Sequence, residues 1–414
     1  MTNYEPNPTV EFNGGLFFAD NTISNISIRA GRNDVLSQPQ PSYARIEVWT
    51  DASEPLAINL SQSVVISIDK GTTGTAPIFT GIISDVEISL DAYGEIGSIA
   101  RYSVTAVGAL AQLNKRLVGA SGFSKEFDGT RVFNILSEAF LTSWLDVNPT
   151  LTWQQLPTQT TWATYDATNE SLVNALATTV DVPGDYELTA YSGGETNAYE
   201  LIQQAAQSGR GVLWEGGDGH LHYDDYSARL DNTPLTLTDD DILARGLRTT
   251  AQWSEIVNDV TVSYKANATK TARDEQSVIL YGQLAGTRAT QLEQATAAQD
   301  QANAFLTSRS YPRTYPEMIT IPLHSPTVSD ATRDALTAVY NGLPVVTNDL
   351  PAVFGTTFSG YVEGWTWNLT RYTAELALTC SAFYETYPHL VWFQIPVTTT
   401  WAGYTPNTNT WEDV

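Results

Sequence analysis

Along much of the chain apolar and polar residues alternate with a period of two, the signature of strands buried on one face. Ser27-Ile28-Arg29, Ala44-Arg45-Ile46-Glu47-Val48-Trp49 and Asp85-Val86-Glu87-Ile88-Ser89-Leu90 all follow it, with breakers at Gln38-Pro39-Gln40-Pro41 and Lys70-Gly71-Thr72-Thr73-Gly74 between them. An open sheet of so many short strands would expose its edges, so the stretch from Ser27 to Val107 predicts a small closed or nearly closed barrel. The pattern then returns near the other end. Phe79-Thr80-Gly81-Ile82-Ile83 is echoed by Phe358-Ser359-Gly360-Tyr361-Val362, and Val64-Val65-Ile66-Ser67 by Val345-Val346-Thr347. Arg101-Tyr102-Ser103-Val104-Thr105-Ala106-Val107 is echoed by Arg371-Tyr372-Thr373-Ala374-Glu375-Leu376-Ala377. A three-strand unit is therefore predicted twice, the mark of an internal duplication. Phe79 and Phe358 would fill two barrel interiors, while Gly81 and Gly360 would let a strand bend or another backbone approach.

Between the echoes the period changes. Asp128 can cap a helix carrying Val132, Phe133, Leu136 and Phe140, a second helix is predicted from Glu170 to Thr178, and a third runs from Ala198 to Ala206 and stops at Gly209. Gly211 to Tyr223 reads as a β-hairpin turning at Gly217-Asp218-Gly219. Asn258 to Tyr264 is a strand, and a helix predicted from Thr290 through Leu306 has so thin an apolar stripe that it is expected to pack outside the second barrel. Met318-Ile319-Thr320-Ile321 is another strand, and a short helix from Ala331 to Tyr340 ends at Asn341-Gly342. The fold class is thus mainly β with α+β: a first barrel over 1–115, a mixed α+β module over 116–245, a second barrel with an inserted helix over 246–392, and an extended arm over 393–414. Within the arm, Thr399-Thr400-Trp401-Ala402-Gly403-Tyr404 repeats Thr160-Thr161-Trp162-Ala163-Thr164-Tyr165.

Charge narrows the function. Lys and Arg number 21 against 46 Asp and Glu, a formal charge of −25, which argues against a surface that neutralises nucleic-acid phosphates. The same acidity maintains solubility, and an acidic channel wall would keep a passing duplex from sticking. One cysteine, Cys380, excludes an intrachain disulfide and reads as a small buried hydrophobe. The N-terminus lacks the regions of a secretion signal, and no apolar run approaches the roughly 20 residues of a membrane span, so a soluble protein made in a cytoplasm, with no membrane anchor, is expected.

Candidate chemistry is sparse. His220, His222 and Asp224 alternate along one predicted strand face, yet a glycine-rich surface turn precedes them and no further His or Cys lies near, so no metal is expected. His324 and His389 stand singly. Asp239-Asp240-Asp241 suits the acidic first turn of a helix and Asp224-Asp225 a solvated hairpin end, which leaves no carboxylate pair placed for glycoside hydrolysis. No nucleophile elbow, phosphate loop, His-Glu-x-x-His or Cys-x-x-Cys occurs. No enzyme activity, catalytic residue or cofactor is expected. Trp365 and Trp367 share one strand face after Gly364; with Trp401 they could form a subunit interface, the preferred reading, or a platform for sugars.

In order along the chain, Ile28-Arg29-Ala30-Gly31-Arg32, Tyr43-Ala44-Arg45-Ile46-Glu47-Val48, the Phe79-Thr80-Gly81 strand, the hairpin ending in Tyr226-Ser227-Ala228-Arg229, and Ile256-Val257-Asn258-Asp259-Val260-Thr261-Val262 resemble the minor tail and baseplate hub proteins of tailed bacteriophages, especially phages of actinobacteria. The resemblance runs from about Val10 to Tyr384. It implies a homotrimer in which two tail-tube-like barrels per subunit alternate around an axis, so that three chains imitate a six-fold ring joining the tail tube or distal tail ring to a three-fold tip or fibre. The implied partners are therefore copies of itself, distal tail or tail tube proteins, tail fibre or tip proteins and the tape measure protein, with DNA passing through the channel without specific binding and the protein residing in the virion. Family members often continue into a peptidoglycan hydrolase or a long fibre, and neither is expected here. A carbohydrate- or receptor-binding tail module, and more remotely a cell-wall glycosidase, are the competing readings.

Overall fold

Strands alternating in and out need a partner on each edge, and the computed structural model, which describes residues 4–12, 16–19, 23–53, 55–92, 98–140, 177–231, 233–243, 245–265, 267–312 and 315–383, supplies most of them in one sheet. Among the described residues this sheet has 13 strands. Along its main path lie Leu247–Arg248, Met318–Pro322, Ala374–Ala382, Phe358–Leu369, Ile23–Gly31, Tyr43–Asp51, Ile99–Val107, Thr75–Ala92, Ser63–Asp69, Thr9–Phe12 and Leu16–Ala19. Pairing is antiparallel except where Leu235–Leu237 runs parallel to Pro344–Thr347. The two predicted barrels therefore do not close separately among the described residues. The reason lies in one pairing: Gly31 back to Ile26 lie opposite Gly364 to Leu369, so the edge that would complete the first barrel is taken by the second half of the chain. One hydrophobic core beneath the sheet accordingly contains Ile28, Ile46 and Val104 together with Trp367, Leu376 and Leu378.

The two long strands, Thr75–Ala92 and Phe358–Leu369, correspond residue by residue. Ile66, Val65 and Val64 pair with Phe79, Thr80 and Gly81, as Thr347, Val346 and Val345 pair with Phe358, Ser359 and Gly360. Each strand then carries a bulge at the same place, between Ile83 and Asp85 in one and between Val362 and Gly364 in the other. Beyond the bulge Val86, Ile88 and Leu90 occupy the positions of Trp365, Trp367 and Leu369. The third matched segment needs correction: Tyr102 pairs with Ile88 and Leu376 with Trp367, so Arg101 corresponds to Glu375 and not to Arg371. Arg371 and Tyr372 lie in the turn before the strand, where Thr370 and Thr373 bond to each other.

A second core joins the middle module to residues 257–306. The helix Asp128–Phe140 buries Val132, Ile135 and Leu136 there, opposite Leu201, Ile202 and Ala205 of the helix Ala198–Gly209. That helix includes Gly209 and ends at Arg210, which takes the left-handed conformation at φ 58°. Gly209 is needed for another reason: any side chain there would enter the Asp128 carboxylate. The helix expected from Thr290 starts at Ala295 and runs to Arg309, because Gln291 and Glu293 are held extended by main-chain bonds to Thr189 and Glu187. It buries Ala298 and Ala302 in this second core and packs on the strands Asp259–Tyr264 and Ala268–Arg273, not on the outside of the large sheet. The helix expected from Glu170 to Thr178 lies outside the described residues but for its end, where the strand Ala177–Val180 begins.

Candidate functional site

The bulge of the Phe358–Leu369 strand inserts one extra residue, Glu363, and turns it into the interior, where it is fully buried. Its counterpart Ser84 is exposed and bonds only back to the Thr105 carbonyl, so the acid is specific to the second unit. Around Glu363 three parts of the chain converge. Arg32, just past the Ile23–Gly31 strand, donates from Nε to Oε2 at 2.6 Å. Arg229, from the turn Ala228–Asp231 after the hairpin, donates from Nη1 to Oε1 at 3.1 Å and from Nη2 to Oε2 at 2.9 Å. Ser381 Oγ donates to Oε1, and Asn341 Nδ2 and the Arg32 main-chain N–H donate to the Glu363 carbonyl at 2.6 and 2.8 Å. Burial alone would raise this carboxyl's pKa; the two guanidinium groups outweigh it and hold the value at about 2. The result is a charged joint among the first strand unit, the middle module and the second strand unit.

Approach of the two strands at this joint depends on Gly31. Its φ is +82°, and a Cβ there would lie 2.5 Å from both the Glu363 carbonyl oxygen and Gly364 Cα. Gly31→Ala combines a left-handed backbone, worth roughly 1–2 kcal/mol, with a main-chain overlap, so a loss of about 3 kcal/mol is expected, read as a lowered urea midpoint at constant slope.

A second buried acid, Glu215, ties the hairpin to the first unit. It accepts from the main-chain N–H of Ser42 and, at 3.0 Å, from that of Leu110. Burial raises its pKa, and hydrogen bonds from the Ser42 side chain and from main-chain N–H groups oppose the rise without cancelling it. The contrast with Glu363 follows from the partners: full cations overcome desolvation and amide dipoles do not.

The repeat residues occupy matching surroundings. Phe79 and Phe358 are buried, and a Cβ on Gly81 would meet the Val107 carbonyl oxygen and Phe79 Cζ, as one on Gly360 would meet the Ser381 carbonyl oxygen and Phe358 Cζ. The other predicted sites are less well matched. Trp365 and Trp367 are 4% and 0% exposed, so within the chain they offer no face to a sugar or a neighbouring subunit. They line the inside of a cleft of about 360 Å³ that also includes Trp214, His222 and Tyr340. Trp401, the repeated Trp162 segment and His389 lie outside the described residues. His220 sits in the turn and bonds to Asp218, while His222 stacks on Trp214 at a centroid distance of 4.2 Å. Asp224, expected in solvent, is instead half-buried and accepts from Trp214 Nε1 at 2.7 Å; burial raises its pKa to about 6. Sequence reading took in Arg32 and Arg229 only as parts of motifs, and gave neither Glu363 nor the second buried acid Glu215 a role. The available signal was a single acid inside the apolar run Tyr361-Val362-Glu363-Gly364-Trp365.

No family model matches this chain, and no curated protein does. Solved structures do share its fold. A 43 kDa tail protein of prophage MuSo2 from Shewanella oneidensis superposes with a TM-score of 0.59 at 12% identity, over 92% of this chain and 98% of that one. A tail protein from Neisseria meningitidis MC58 gives a TM-score of 0.59 at 13% identity with the same coverage. The prophage tail protein gp18 from Listeria monocytogenes EGD-e gives 0.50 at 10% identity, over 91% and 95%. At these identities the likeness is one of fold.

Proposed function

We propose that this protein is a structural subunit of a bacteriophage tail tip. In this reading three copies form a ring in which two duplicated strand units per chain stand as six near-equivalent positions around a channel. The ring adapts a six-fold tail tube or distal tail ring to a three-fold tip or fibre, and DNA leaves through it. The observation that carries the proposal is the shared register of the two long strands, down to the bulge position and the carbonyl that closes on Gly81 and Gly360. A closed ring needs equivalent surfaces, and two such units in one chain supply them. The fold shared with three tail proteins supports the same reading. So does the charge of −25, which suits a conduit that must not retain DNA.

The carbohydrate-binding alternative loses Trp365 and Trp367 to burial. Light scattering on the purified chain tests the assembly: a species of three times the 45.2 kDa chain is expected. Electron microscopy of tails tests the location, with density at the tip. A chain that stays single at its highest soluble concentration and occupies no ring in the particle would contradict the proposal.

A further inference from the structure

The pairing that joins the two halves within one chain also describes how one chain meets the next. Beyond its bulge, the Phe358–Leu369 strand has the Ile23–Gly31 strand along its outer edge, and Trp367 and Leu369 are both 0% exposed. Beyond the equivalent bulge, the Thr75–Ala92 strand is paired with Ile99–Val107 on one edge and with no described residue on the other. There Ile88 and Leu90, the counterparts of Trp367 and Leu369, are 61% and 56% exposed. An unpaired strand edge with apolar side chains beside it is costly to leave in water.

The missing neighbour can be read from the other unit. Ile23–Gly31 sits beside Tyr43–Asp51, with Ile26 opposite Ile46. In the second unit Leu247–Arg248 sits beside Met318–Pro322, with Leu247 opposite Ile319. Ile46 pairs with Val104 and Ile319 with Leu378, and these in turn face Val86 and Trp365, so Leu247 stands where Ile26 stands. From Leu247 the chain continues through Thr249 to Ala251, exposed or half-buried and outside any strand.

We infer that the segment Leu247 to Ala251 of a second copy of this chain pairs antiparallel with Leu90 to Val86, in the register of the internal joint: Leu247 opposite Leu90, Thr249 opposite Ile88 and Ala251 opposite Val86. This rests on the ring proposed above and names its interface. The contact is head to tail, using different surfaces of the two copies, so it can propagate round and close. Pairing stops at Ala251, because the close approach of Gly31 to Gly364 has no counterpart: the corresponding residues are Gln252 and Asp85.

Cysteine trapping reads the register directly. Ser89 and Arg248 correspond to Asn368 and Ser27, whose side chains bond at 3.3 Å across the internal joint. In the double variant Ser89→Cys/Arg248→Cys, mild oxidation is expected to link chains into a ladder ending at three; native Cys380 is buried and does not interfere. Ser89→Cys/Thr250→Cys, two residues out of register, is expected to link at least about fivefold less, because a disulfide needs Cα atoms within roughly 7 Å. Ile88→Asp on the wild-type background is expected to give single chains that keep the wild-type circular dichroism spectrum and still melt cooperatively, with a melting temperature lowered only by the loss of assembly. If the assembly forms but survives Ile88→Asp and the in-register pair fails to link, the edge pairing is wrong and the ring stands on some other surface. If the unsubstituted chain never assembles and no pair links, both fall.

Discussion

Glu363→Ala is expected to destabilise the protein by about 3–5 kcal/mol, because it leaves Arg32 and Arg229 buried without their shared counter-ion. The loss should appear as a lower denaturant midpoint, and Glu363→Gln should recover only part of it, since an amide keeps the shape but not the charge. A midpoint unchanged within error would mean that the joint is not a closed ion cluster. pH offers an independent check. The Glu363 pKa is held at about 2, below the 4.5 of an ordinary glutamate, so its contribution is present above pH 4.5 and is lost as pH falls through 2. Asp128 and Asp224 act in the opposite sense. Burial raises both pKa values to about 6 from 3.8, so what they contribute is present below pH 3.8 and lost as pH rises through 6. Urea midpoints against pH should therefore peak between about pH 3.5 and 4, where the gain from ionising Glu363 and the loss from the two aspartates balance, and Glu363→Ala should remove much of the fall on the acid side while leaving the fall on the neutral side.

Gly360→Ala and Gly81→Ala are each expected to lose about 3 kcal/mol, near the upper end for overpacking, because the obstruction is main chain. The new methyl at 360 enters the Ser381 carbonyl oxygen, and the one at 81 enters that of Val107. Neither carbonyl can withdraw without breaking the ladder it belongs to, whereas the Phe358 and Phe79 rings can rotate aside. Thermal or urea melts of the two single variants should give losses within about 1 kcal/mol of each other if the positions are equivalent. Loss at one with none at the other would break the equivalence on which the ring proposal depends.

Period-two patterning was enough to place the strands Ile23–Gly31, Tyr43–Asp51, Thr75–Ala92 and Met318–Pro322 and the hairpin at Gly217–Gly219, since half-buried strands must alternate. Phe79-Thr80-Gly81 and Phe358-Ser359-Gly360 pair with their neighbouring strands in the same register, and in each a glycine lies beneath a carbonyl that leaves no room for a side chain. The match of Arg101-Tyr102 to Arg371-Tyr372 was off by four. An even shift leaves every side chain on its original face, so alternation could not expose the error, and outward residues such as arginine are weakly constrained. Joining of the halves through Ile23–Gly31 was invisible for a different reason: sequence pattern says that a strand needs neighbours, not which ones. Trp367 looked like an interface residue because a large aromatic on a strand is equally at home in a core, and only the position of its neighbour decides.

The joint between Arg32 and Glu363 spans 331 residues of sequence, and this sets an order of events during synthesis. At roughly 5–20 residues per second, the ribosome delivers the partner of the first long-lived strand some 20–70 s after that strand has emerged. Until then Ile26 and Ile28 have a vacant flank. Pairings this distant also form slowly once both partners exist, since the ends of a long loop must first find each other. Fragments ending before residue 364 leave that flank open for good and are expected to precipitate when made alone.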